Sequence, residues 1–118
     1  MSIRAVMTET LTIADSANVS NAVRMKSAAG GVLICPASVA GYIHFKVSAD
    51  GVTYVDYYDR YNVLVYVYTA AIASSIAIEL PDSLFALPYI KLATHTTQTG
   101  TTTQNQTGAK AFTLVLKS

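Results

Sequence analysis

Charge is scarce in this chain: 13% of its 118 residues are Asp, Glu, Lys or Arg, and the net charge is +1. The basic residues Arg4, Arg24, Lys26, Lys46, Arg60, Lys91, Lys110 and Lys117 are scattered, which excludes the clustered cationic surface that nucleic acid requires. A single cysteine, Cys35, excludes an internal disulfide. It lies in the apolar run Gly31–Pro36, where a small core side chain is expected, because a nucleophile needs a nearby base and an exposed thiolate. No apolar run approaches the ~20 residues of a membrane helix. The first ten residues lack the apolar core of a signal peptide, so the chain is expected to remain in the compartment where it is made unless another assembly carries it out.

The chemistry-bearing residue types are equally thin. His44 and His95 are the only histidines, and with one apolar cysteine they fall short of the three or four ligands of a zinc site. Asp56, Asp59 and Asp82 match no calcium loop, and Arg60 beside Asp59 opposes a cation. No Gly-rich phosphate cradle and no nucleophile elbow occurs. The expectation is a protein that is not an enzyme and holds no cofactor or metal.

What is present is hydrophobicity, at 52%, arranged in strict alternation. Thr8–Ile13 alternates, and Val19, Asn21, Val23 and Met25 share one face of the next segment. Gly31–Pro36 reads as a strand buried on both faces. Tyr42–Ser48 alternates cleanly, Tyr61–Thr69 has two apolar or aromatic faces, and Ser74–Leu80, Leu87–Ala93 and Lys110–Lys117 complete the set. Pro81–Ala86 suits one helical turn. Eight or nine short strands between turn residues predict one all-β domain over residues 1–118, an antiparallel two-sheet sandwich of jelly-roll type. A short arm (about 1–8) would precede it. Apolar content beyond what one small core needs predicts surface buried against other subunits.

The run Phe45–Tyr57 reads as a hairpin. A two-residue Asp50-Gly51 turn would set Phe45 opposite Asp56. A three-residue Ala49-Asp50-Gly51 loop sets Phe45 opposite Val55 and His44 opposite Asp56, which keeps both faces consistent and is the register expected. It sends Ile43, Phe45, Val47, Val55 and Tyr57 inward and Tyr54 outward.

Six of the eight tyrosines fall between Tyr54 and Tyr68. Tyrosine joins a large apolar area to a polar tip, so Tyr57, Tyr58, Tyr61, Tyr66 and Tyr68 are candidate protein contacts, with core closure the alternative for several of them. The uncharged loop of about 94–109 is long for a compact domain and is either mobile or ordered by a neighbour. Its Thr99, Thr102 and Gln104 join the contact candidates, within the span Thr96–Gly108, as does the arm Ser2–Thr8.

Two resemblances bear on function. Ser48-Ala-Asp-Gly-Val-Thr-Tyr54 resembles the Ser-x-Asp-Gly-x-x-Trp hairpin of discoidin-like (F5/8 type C) domains, which implies a sandwich and a glycan contact at Tyr54, Tyr58 and Asp59. More of the chain resembles small virion proteins of tailed bacteriophages: Ser20-Asn-Ala-Val23, the Phe45–Asp59 hairpin, Ile78-Glu-Leu-Pro-Asp-Ser-Leu-Phe85, Tyr89-Ile-Lys-Leu92 and the terminal Thr113-Leu-Val-Leu116. That resemblance implies a capsid decoration (cement) protein on the virion surface. Its partners would be the major capsid protein and itself, as a dimer or trimer, with no nucleic acid and no membrane. The alternative is a head-fibre, tail or adhesion component that binds host glycans.

Overall fold

A computed structural model of the protein describes residues 6–25, 28–68 and 74–117, with 66–68 described by backbone alone. The strands are β1 (Val6–Ile13), β2 (Val23–Arg24), β3 (Gly30–Cys35), β4 (Tyr42–Ser48), β5 (Val55–Asp56), β6 (Tyr66–Tyr68), β7 (Ile76–Glu79), β8 (Tyr89–His95) and β9 (Lys110–Lys117), with a 3-10 helix at Asp82–Ala86. One sheet has the order β1-β9-β3-β7 and the other β2-β8-β4, with β5 and β6 both on the far edge of β4. All pairs are antiparallel. Counting β5 and β6 as one interrupted edge strand, which follows β4 within the same sheet, every other pair of successive strands crosses between the sheets, in the order of a double Greek-key jelly roll. The all-β sandwich expected from the alternation is the fold observed.

The core forms where the two inward faces meet. Leu11 and Ile13 of β1, Leu33 and Cys35 of β3, and Phe112, Leu114 and Leu116 of β9 face Val23, Ile43, Phe45, Val47, Ile90 and Leu92 of the opposite sheet, all of them buried. Each set follows the two-residue period of its strand, so burial and backbone pairing are satisfied together. Leu84 of the 3-10 helix closes one end, and Phe85 and Leu87 pack beside it. That helix has Pro81 at its start and no side-chain cap.

Several expectations are corrected. The hairpin pairs Lys46 with Asp56 and Val47 with Val55, two residues from the expected register, so His44 does not face Asp56. The cause is turn chemistry. Ser48 Oγ receives the N–H groups of Asp50 and Gly51, and Asp50 Oδ1 receives those of Val52 and Thr53. These bonds hold Ser48–Thr53 as a wider loop than three residues. A shift of two preserves facing: Tyr57 packs on the core as expected, whereas Val55 at the strand end is exposed. Tyr61–Thr69 is not one strand, because Asp59–Asn62 turns and only Tyr66–Tyr68 pairs with β4. β3 is buried on one face only, leaving Val32 and Ile34 exposed. Residues 6–8 of the expected arm belong to β1, and residues 1–5 lie outside the described residues.

Candidate functional site

The two outer faces of the sandwich are treated differently by the chain. Over the β4/β8 sheet, residues 96–103 fold back as a roof. Thr96 N–H donates to Thr102 O at 2.8 Å, Gly100 N–H to Thr97 O at 3.1 Å, and Gln104 N–H to Thr94 O at 2.9 Å. Thr97 Oγ1 lies 3.1 and 3.2 Å from the hydroxyls of Thr99 and Thr101. Gln106 is buried beneath the roof's base. Its amide accepts from Ala40 N–H at 2.9 Å and donates to Ala40 O at 2.8 Å and Thr94 Oγ1 at 3.0 Å. The long loop thus makes hydrogen bonds within itself and to its own domain.

Under this roof lie the two histidines. His44 on β4 and His95 on β8 are buried, their Nδ1 atoms 2.9 Å apart and their rings edge-to-face. His44 Nε2 lies 2.8 Å from Gln98 O. A carbonyl only accepts, so His44 Nε2 carries the proton, and neutral His44 must accept at Nδ1 from His95 Nδ1–H. Burial is the largest influence on both and pushes both below the ordinary histidine range. For His44 the Gln98 carbonyl and the charge of Asp56 oppose that shift. For His95 the neighbouring His44 and Lys46 reinforce it, while Asp56 opposes it. Sequence distance hid this pair, and His95 lies beyond the expected end of its strand at Ala93.

Residues 57–65 interrupt the edge strand as a small hairpin, with Tyr58 bridging Leu64 and Val65 N–H donating to Tyr57 O. Leu64 is buried against Gly100, whose φ of +72° and missing side chain allow the contact. Tyr57, Tyr58 and Tyr61 are oriented differently. Tyr57 is half-buried and its hydroxyl donates to Ser83 Oγ, tying the hairpin base to the 3-10 helix. Tyr58 and Tyr61 are exposed, Tyr61 at 77%, with the Arg60 guanidinium 5.7 Å from its ring centroid. Tyr66 and Tyr68 have side chains outside the described residues.

Of the glycan candidates, Asp59 caps its own turn, accepting from the N–H groups of Tyr61 and Val63 at 2.8 and 3.1 Å. Tyr54 has the Lys91 ammonium 4.2 Å from its ring centroid, so that ring face is covered, and its buried hydroxyl has no partner among the described residues. Thr99 and Thr102 are exposed on the roof, while Gln104 is half-buried and its amide donates to Asn105 O. Cys35 is in the core and burial pushes its thiol up to about 11, as befits a packing residue. No group of three or more His, Cys, Asp or Glu gathers as a metal cluster among the described residues.

The other outer face, that of β1-β9-β3-β7, has no element over it among the described residues. Cross-strand pairing arranges it in rows: Val6, Lys117 and Gly30; then Thr8, Val115, Val32 and Glu79; then Thr10, Thr113, Ile34 and Ala77; then Thr12 and Ala111. Between Lys117 and Glu79 at one end and the last row, every side chain is uncharged. Val6 is 63% exposed, Ile34 42% and Val32 37%. Gly30 leaves a dent in the first row, where a Cβ would meet nothing within 4 Å. A shallow concavity of about 710 Å³ opens there, bordered by Val6, Val32, Val115, Glu79 and Lys117. Sequence reading missed this face because Gly31–Pro36 looked buried on both sides. The clue was Thr8, Thr10 and Thr12 alternating with larger side chains.

The free edge of β1 is closed by a side chain: Asn21 Oδ1 accepts from Thr12 N–H at 2.7 Å and Asn21 Nδ2 donates to Thr10 O at 3.1 Å. The amide takes the place of a neighbouring strand and blunts edge pairing at that point. Comparison with known protein families, with curated proteins and with solved structures returns no match in any of the three. The resemblances to phage virion proteins and to discoidin-like domains therefore rest on their sequence motifs.

Proposed function

We propose that the chain is a non-enzymatic structural protein of a phage particle, a decoration protein that works as an oligomer by burying surface on the assembled capsid. The observation that carries this reading is the uncharged Val/Thr/Ile face of the β1-β9-β3-β7 sheet, uncovered by any described element of its own chain. Apolar, flat and nearly free of charge, such a face is suited to protein contact and ill suited to catalysis. Jelly rolls also serve as viral capsid and lectin domains, which is compatible with the reading without selecting it. A protein that binds only the assembled shell stabilises that shell by mass action.

The test uses heads stripped of this protein. Adding it back should raise the temperature at which the particles release DNA, and Val32→Lys should do so less well. Heads that gain no heat or osmotic resistance from saturating protein would refute cementing. Adhesion to host glycans is the second reading, favoured by the exposure of Tyr58 and Tyr61 on one protruding hairpin. It requires saturable glycan binding that Tyr58→Ala with Tyr61→Ala abolishes.

A further inference from the structure

The bare sheet face has a shape and charge pattern complementary to itself. We infer that two copies of the chain pair face to face through the β1-β9-β3-β7 sheet, about a two-fold axis parallel to the strands, with Lys117 of each copy seated in the Gly30 dent of the other.

Such an axis reverses the strand order across the sheet and preserves the rows. Starting from the order β1-β9-β3-β7, it lays β9 of one copy over β3 of the other, and β1 over β7. Val115 then meets Val32, Thr113 meets Ile34, and Thr10 meets Ala77, each contact occurring twice. In the first row Lys117 stands over Gly30, the one position of the row with no side chain and with open space above it. Glu79 of that same receiving copy lies one strand and one row from Gly30, so the incoming ammonium arrives beside a carboxylate.

The alternative two-fold axis, perpendicular to the strands within the interface, sends Lys117 to the opposite end of the facing sheet, away from both the dent and Glu79. Aligned packing also agrees with the angle at which twisted sheets stack, within about 30°. Four strands about 4.8 Å apart and rows about 6.8 Å apart give roughly 450 Å² per copy. The total of about 900 Å² falls below the range of stable specific interfaces and among those of weak, transient pairs, so the dimer is a weak one. The inference rests on reading this face as a protein-contact surface and adds that the partner is a second copy.

Sedimentation velocity over a concentration series tests it, on the free protein. A reversible dimer is expected. Val32→Lys should abolish it, and Gly30→Leu, whose Cβ would meet nothing within 4 Å, should fill the dent and weaken it. Lys117→Glu and Glu79→Lys should each raise the dissociation constant about tenfold or more, since each change puts two like-charge pairs across the interface. The double exchange should restore wild-type affinity. All four positions are on the surface, and an unchanged melting temperature confirms folding in each of the five variants. A protein monomeric up to about 1 mM, a dimer indifferent to Val32→Lys, or a double exchange that fails to rescue would each overturn the pairing. Failure here is separable from failure of the particle reading: a monomer that still protects stripped heads removes only the dimer, and a dimer that leaves them unprotected removes only the cementing role.

Discussion

Acidification through pH 6.5 should destabilise this protein through two histidines that carry no charge in the folded state. His44 and His95 are buried with their Nδ1 atoms 2.9 Å apart, and burial holds both below the ordinary value of 6.5. The unfolded chain protonates each near 6.5, so below that pH it binds more protons than the folded chain, and stability falls as pH falls. At pH 5.5 a histidine that stays neutral in the fold costs about 1.4 kcal/mol relative to pH 7.5, and two cost about 2.7 kcal/mol.

The geometry places the outcome between these limits. A first proton is accommodated if His95 changes tautomer and accepts from protonated His44. A second sets two N–H groups against each other and breaks the bond. Asp56 moderates the loss and Lys46 sharpens it at His95. Urea unfolding at pH 7.5, 6.5 and 5.5 measures the slope, above the range where exposed carboxylates titrate. His44→Gln with His95→Gln should flatten it, at a cost in stability at pH 7.5. A wild-type protein equally stable at pH 7.5 and 5.5 would refute the reasoning.

Gly100→Ala should cost more than about 1 kcal/mol in thermal or urea unfolding, because φ is +72° and the new Cβ would clash with Leu64 Cδ2. Gln106→Leu should cost about 2–4 kcal/mol by the same measurement, since it strips the N–H and C=O of Ala40 of their partner. Cys35 should resist a thiol reagent at pH 8 in native protein and react at once in urea, its thiol being buried and pushed up to about 11. Asn21→Ala should cost about 1 kcal/mol and increase light scattering on storage, because it reopens the Thr10–Thr12 edge of β1.

The sandwich was legible because alternation is a local signal that the core then rewards. Lys110–Lys117 and Tyr42–Ser48 were read at their observed limits, and the helical turn after Pro81 within a residue. Pairing between distant strands was not legible, since nothing within β4 announces that β8 lies beside it. The His44–His95 contact depends entirely on that adjacency. The hairpin register failed for a different reason: Ser48 and Asp50 side chains compete with the backbone for the turn N–H groups, and their five bonds open the loop. Tyrosine density alone does not announce that the hairpin at residues 57–65 divides its members, one fastened inward to Ser83 and two left outside. The exposed sheet face escaped notice since β-branched residues suit a strand whether its outer side is wet or covered.

The asymmetry between the two outer faces constrains how the protein can associate. One sheet is roofed by its own chain, at the cost of burying two histidines and a glutamine that must all be hydrogen-bonded. Among the described residues the other has no roof, and its two charges, Lys117 and Glu79, stand at one end rather than interspersed in the way that commonly discourages sheet association. Its exposed β1 edge, by contrast, is guarded where Asn21 occupies the backbone groups of Thr10 and Thr12. Guarding the edge while leaving the face bare disfavours open-ended growth by strand addition and leaves face-to-face packing available. A single flat face admits one partner, so association through it closes at two copies. In the proposed pair the roofed side, with the exposed Tyr58 and Tyr61 beside it, would face outward from both copies and stay free to meet a different surface.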